Sequence, residues 1–94
     1  MTTEVRASHL LVATEQEAQE LYDEIQAGKS FEEVAQAVSK CPSGASGGDL
    51  GYFGRGVMVK PFEDAAFSLE INEVSHPIQT QFGWHLIKLT DKNQ

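Results

Sequence analysis

Each end of this chain is an apolar segment carrying one histidine. The first is Val5-Arg6-Ala7-Ser8-His9-Leu10-Leu11-Val12, the last Gly83-Trp84-His85-Leu86-Ile87-Lys88-Leu89. Read as strands, whose side chains alternate between faces, they put His9 with Val5, Ala7 and Leu11, and His85 with Ile87 and Leu89. Imidazoles among aliphatic side chains are unfavourable unless they are hydrogen-bonded. The simplest partner for each is the other, or a nearby hydroxyl or thiol. That solution requires the two ends of the chain to lie side by side in one sheet.

The segment between them sets out the remaining elements. Residues 4–12 read as a strand. Thr14-Glu15-Gln16-Glu17 has capping-box spacing, and Ala18, Leu21, Tyr22 and Ile25 follow at helical intervals up to Gly28, a residue that accepts the left-handed conformation common at helix ends. Ser30-Phe31-Glu32-Glu33 repeats the cap ahead of a second apolar stripe at Phe31, Val34, Ala35 and Val38. Residues 41–49 read as a loop, Leu50 to Phe53 as a short strand, and Pro61 to Leu69 as a helix with proline in its first turn. Asn72-Glu73 suits a turn, and residues 76–80 and 84–90 read as a hairpin turning at Gln81-Phe82-Gly83. The order β-α-α-β-α-β-β predicts an α+β domain with one antiparallel sheet covered by helices on one side.

Size and charge narrow the function. A chain of 94 residues suits a single domain, 1–94, with one core. The net charge is −7 and the seven basic residues are scattered, which argues against nucleic acid as a partner. No run approaches the roughly 20 apolar residues of a membrane helix, and the first residues lack the pattern of a secretion signal. The expectation is a soluble, cytoplasmic protein without a membrane partner. The acidic run Glu15, Glu17, Glu20, Asp23 and Glu24 reads as a solvated helix face. Cys41 is the only cysteine, so no internal disulfide forms.

Three groups of residues bear on chemistry. Thr80, close to the last strand, has a hydroxyl able to fix which imidazole nitrogen holds the proton. Spacing alone allows either a buried polar cluster that sets strand register or a working site. Cys41 opens the glycine-rich loop as a buried thiol or a reactive one. Gly47-Gly48-Asp49-Leu50-Gly51 has neither the lysine of a phosphate-binding loop nor dinucleotide-binding spacing, so these glycines serve turns and close backbone approach. Leu50, Met58, Phe62, Phe67 and Phe82 supply apolar surface for a shallow shelf beside the histidines, sized for one ring such as that of proline.

In combination these segments resemble the parvulin-type peptidyl-prolyl cis/trans isomerases over nearly the whole chain. The matching stretches are Ala7-Ser8-His9-Leu10-Leu11, Phe31-Glu32-Glu33-Val34-Ala35, Ser39-Lys40-Cys41-Pro42-Ser43, Gly47-Gly48-Asp49-Leu50-Gly51-Tyr52-Phe53, Gly56-Val57-Met58, Pro61-Phe62-Glu63-Asp64-Ala65-Ala66-Phe67 and Thr80-Gln81-Phe82-Gly83-Trp84-His85-Leu86-Ile87. The resemblance implies a parvulin fold, a four-stranded antiparallel sheet surrounded by helices, and catalysed rotation about the bond preceding proline without cofactor or metal. It makes His9, Cys41, Thr80 and His85 the catalytic set and Leu50, Met58 and Phe62 the proline pocket, with Phe82 beside it, as in small bacterial and archaeal members. The partners it implies are proline-containing peptides and folding protein clients. Phosphate-requiring members carry a basic cluster between the first strand and first helix. Here that segment is Val12-Ala13-Thr14-Glu15-Gln16-Glu17, so no phosphate requirement is expected.

The remaining expectations are a monomer and a noncovalent role for Cys41. The competing readings are a noncatalytic peptide-binding or chaperone module, a cysteine hydrolase using Cys41, His85 and Asp49, and a metal site from His9, Cys41 and His85.

Overall fold

The computed structural model describes residues 3–39 and 47–93. Seven elements follow in the expected order: strand β1 (Glu4–Val12), helices α1 (Glu15–Gln26) and α2 (Phe31–Val38), strand β2 (Asp49–Gly54), helix α3 (Lys60–Ser68), and strands β3 (Ile78–Thr80) and β4 (Gly83–Asn93). The capping hydroxyls act as their spacing implies. Thr14 Oγ1 accepts the Glu17 N–H at 3.2 Å, and Ser30 Oγ accepts that of Glu33 at 3.3 Å. Each bond satisfies an amide that the first helical turn leaves without an intrahelical partner.

The four strands form one antiparallel sheet in the order β2-β1-β4-β3. The two ends of the chain are therefore its central pair. Their ladder runs from Glu4 opposite Asn93 to Val12 opposite Trp84. β4 is longer than its periodicity suggested, because Lys92 and Asn93 still pair with Val5 and Glu4. β3 is shorter, starting at Ile78, after Pro77, which has no N–H to give a ladder.

The helices do not lie on one side of the sheet, as the element order suggested. Val5, Ala7, Ile87 and Leu89 pack with Phe53, Phe62, Ala66 and Leu69, under α3. Leu10, Val12 and Leu86 pack on the other face with Ala18, Phe31, Val34 and Ala35, under α1 and α2. The central strands are apolar on both faces because both are covered, the pattern expected of a doubly buried strand.

Candidate active site

His9 and His85 come from adjacent central strands and lie diagonally, two register positions apart: His9 pairs with Ile87, and His85 with Leu11. Both side chains rise on the α3 face and both are buried. Their rings stack with centroids 5.3 Å apart, and their Nδ1 atoms approach to 3.1 Å. That contact needs a proton on one Nδ1 and a bare lone pair on the other. Burial lowers both pKa values. His9 falls from 6.5 to about 4, through desolvation first and the neighbouring His85 second, and His85 falls through desolvation. At neutral pH the pair is uncharged.

Thr80 holds the far side. Its Oγ1 lies 2.7 Å from His85 Nε2 and accepts the Phe82 N–H at 3.2 Å. The chain Phe82 N–H, Thr80 hydroxyl, His85, His9 is thus a continuous hydrogen-bonded line. A hydroxyl proton given to His85 Nε2 leaves the His85 Nδ1 proton to be donated to His9, and the reverse order also satisfies each bond.

Phe62, from the first turn of α3, lies beneath the pair. It meets His9 edge-on at 5.4 Å and 78°, and His85 at 5.4 Å and 88°. Leu50 and Met58, partly buried, pack against the same apolar cluster. Leu50 reaches it through an irregularity in β2. Arg6 faces Tyr52 but Ser8 faces Asp49, so β2 carries one extra residue, and Gly51 takes φ 73° there. Strict alternation from the buried Phe53 would point Leu50 at the opposite face. The bulge turns it onto the α3-side apolar cluster that contains Phe62. Phe82, in the β3–β4 turn, is 64% exposed at the rim.

Gly48 fixes the other side of His9. Its carbonyl accepts the His9 N–H at 2.9 Å, and a Cβ at Gly48 would fall 2.1 Å from the His9 carbonyl oxygen. The glycine run thus provides the expected close backbone approach. Cys41, the expected thiol of the site, lies outside the described residues.

Asp49, the third member of the alternative hydrolase arrangement, is committed elsewhere. Its carboxylate accepts from Arg6 Nε at 3.2 Å and a second Arg6 nitrogen at 2.6 Å, and also from the Gly51 N–H at 3.0 Å. The Arg6 guanidinium and the Gly51 amide hold its pKa below the usual carboxylate value. Among the described residues no group of three His, Cys, Asp or Glu side chains is placed to hold a metal.

Sequence reasoning passed over Glu63. It appeared only within a matching segment, yet it is a buried carboxylate that binds the β2–α3 connection. An acid one residue after the pocket phenylalanine, in the first turn of a helix, was the available signal.

Residues 4–91 match the PPIC-type PPIASE (rotamase) domain family. The chain belongs to that family, the parvulins. It is a peptidyl-prolyl isomerase domain. It is 53% identical over 89 residues to foldase protein PrsA 1 of Bacillus cereus, covering 94% of this chain and 31% of that protein. The crystal structure of the peptidylprolyl isomerase PrsA of Bacillus anthracis superposes with a TM-score of 0.96 at 46% identity, covering 99% of this chain and 43% of that one. NmPin, the parvulin of Nitrosopumilus maritimus, superposes at 0.86 with 42% identity, covering 96% and 98%. The chain spans about a third of the length of the curated relatives it matches.

Proposed function

We propose that this domain speeds rotation about Xaa-Pro bonds in peptides and folding clients by noncovalent means, without requiring phosphate before the proline. The observation that carries this reading is the uncharged histidine pair standing over Phe62, with Leu50 and Met58 on the same apolar surface.

The prolyl bond is held planar by a resonance barrier of roughly 18–20 kcal/mol. Twisting it removes nitrogen lone-pair delocalisation, and the carbonyl loses charge separation. A dry, apolar surround favours that less polar state over either planar form, and catalysis requires only this difference. Phe62, Met58 and Leu50 grip the ring while the carbonyl side turns. The histidines, kept uncharged and hydrogen-bonded to each other and to Thr80, hold the wall beside it in shape. No bond is made or broken, so no activated nucleophile is needed.

Substrate charge follows from where the cations are. Arg6 is bound to Asp49 and Arg55 to Glu63. The connection from β1 to α1 offers the Thr14 cap and acidic Glu15 and Glu17. No guanidinium fork faces the site from that segment to receive a phosphate.

The test is isomerisation kinetics on a panel of Xaa-Pro peptides, read by NMR exchange. Met58→Ala and Phe62→Ala are expected to lower kcat/KM by at least about tenfold, as loss of apolar contact with the ring requires. Wild-type rates in folded variants would remove both residues from the pocket and the proposal with them.

A further inference from the structure

Glu63 is a charged side chain with only 8% of its surface exposed, and the reaction as described makes no use of it. A carboxylate is unfavourable so deep unless its oxygens are fully engaged. Here one oxygen accepts the Gly56 N–H at 2.5 Å and the other the Arg55 guanidinium at 3.1 Å. The same guanidinium lies 4.3 Å from the Phe67 ring centre, on the same helix. The Glu63 N–H in turn donates to the Val59 carbonyl at 3.0 Å. One residue therefore grips the β2–α3 loop at its start, through Arg55 and Gly56, and at its end, through Val59. Met58 lies between those two anchor points, and Phe62 is the neighbour of Glu63 in α3.

We infer that Glu63 is a positioning residue of the proline pocket: its carboxylate holds Arg55 and Gly56 against α3 and so sets Met58, in the same short connection, against the Phe62 surface. This rests on the isomerase reading of that surface. An acid present only to favour the start of the helix would sit in solvent. This one is turned inward onto a loop amide that no other described group is seen to hold. The clamp supports ring binding in ground and transition states alike, so its loss acts mainly on KM.

The experiment compares wild type, Glu63→Ala and Glu63→Gln, with Ala18→Gly, in the core of α1 on the other sheet face, as a control of similar lost stability. Readouts are kcat and KM separately, Tm, and the Met58 methyl signal of the free protein by NMR. Glu63→Ala is expected to raise KM about tenfold with kcat changed less than about threefold, and to shift or broaden the Met58 methyl signal. Glu63→Gln keeps an acceptor for the Gly56 N–H and is expected to recover most of both. Unchanged KM and Met58 signal in Glu63→Ala, or an equal KM rise in Ala18→Gly at matched Tm, overturns the inference. Should Glu63→Ala fail to fold, Arg55→Gln carries the same readouts, and wild-type KM and Met58 signal in it overturn the inference. Absence of isomerisation by wild type would defeat the functional reading instead, while the Met58 signal would still decide whether Glu63 sets the loop.

Discussion

The histidine pair is stable only while it is uncharged, and that ties it to pH. In the unfolded chain the His9 imidazole takes up a proton at its ordinary value of 6.5; in the fold it does so only at about 4. Between those values the unfolded state binds more protons, so stability falls as pH falls through the window and levels off below it. The expected loss from His9 is on the order of 3 kcal/mol, with His85 adding in the same direction. Asp49 and Asp91, whose pKa values are lowered from 3.8 chiefly by Arg6 and Tyr52 respectively, lose their contribution in the same direction as pH falls through the ordinary carboxylate range, so they overlap only the acid end of this window. Urea midpoints taken from pH 7.5 to 4 should slope downward in wild type and flatten in His9→Asn; equal slopes would mean His9 is not the titrating group. Cys41 is expected to matter less. Rotation without covalent attack requires only that its side chain fit, so Cys41→Ala should keep measurable isomerase activity in a folded protein. Complete loss would favour a nucleophilic thiol.

At the scale of elements, two glycines test how β2 builds the site. Gly51 has φ 73° and open space where a Cβ would go, so Gly51→Ala adds only backbone strain, about 1–2 kcal/mol. Gly48→Ala places its Cβ 2.1 Å from the His9 carbonyl oxygen, and backbone cannot move aside as a flexible side chain would. Thermal melts should show a modest Tm drop for Gly51→Ala and failure to fold, or a far larger drop, for Gly48→Ala. Equal effects would place the strain elsewhere. The same strand marks where the sequence stopped being legible. Caps at Thr14 and Ser30 and alternation in the terminal strands were local patterns, and the meeting of His9 with His85 followed from pairing those two strands. The bulge was not, because Leu50-Gly51-Tyr52-Phe53 reads as an ordinary strand until its register against Arg6 and Ser8 is known. Nor did two apolar helix stripes reveal that they cover one sheet face while α3 covers the other. The clue was the unbroken apolar character of Leu10-Leu11-Val12 and Leu86-Ile87. Glu63 was hidden for a related reason: its partners lie in a loop whose path no periodicity encodes.

Across the whole molecule, charge and topology act together on what the site accepts. The chain carries −7, its arginines are held by Asp49 and Glu63, and Lys88 is paired with Glu32 on the face away from the histidines. A peptide with phosphoserine before proline therefore approaches a surface of like sign and finds no fork to compensate. Such repulsion between exposed charges is long-ranged at low salt and fades as the screening length shrinks to about 8 Å near physiological ionic strength. The expected order of kcat/KM is Ala-Pro above Glu-Pro above phosphoserine-Pro at low salt, with the gaps narrowing as salt is added. A phosphorylated peptide turned over fastest, or an order indifferent to salt, would require a cationic receptor that the placed arginines do not supply. Because His9 and His85 are 76 positions apart in sequence and are brought together by the central strand pair, the proposed selectivity requires the completed sheet. Activity and the sheet's circular dichroism should accordingly vanish at the same urea concentration, and loss of activity well before the sheet melts would mean that the site opens as a separate unit.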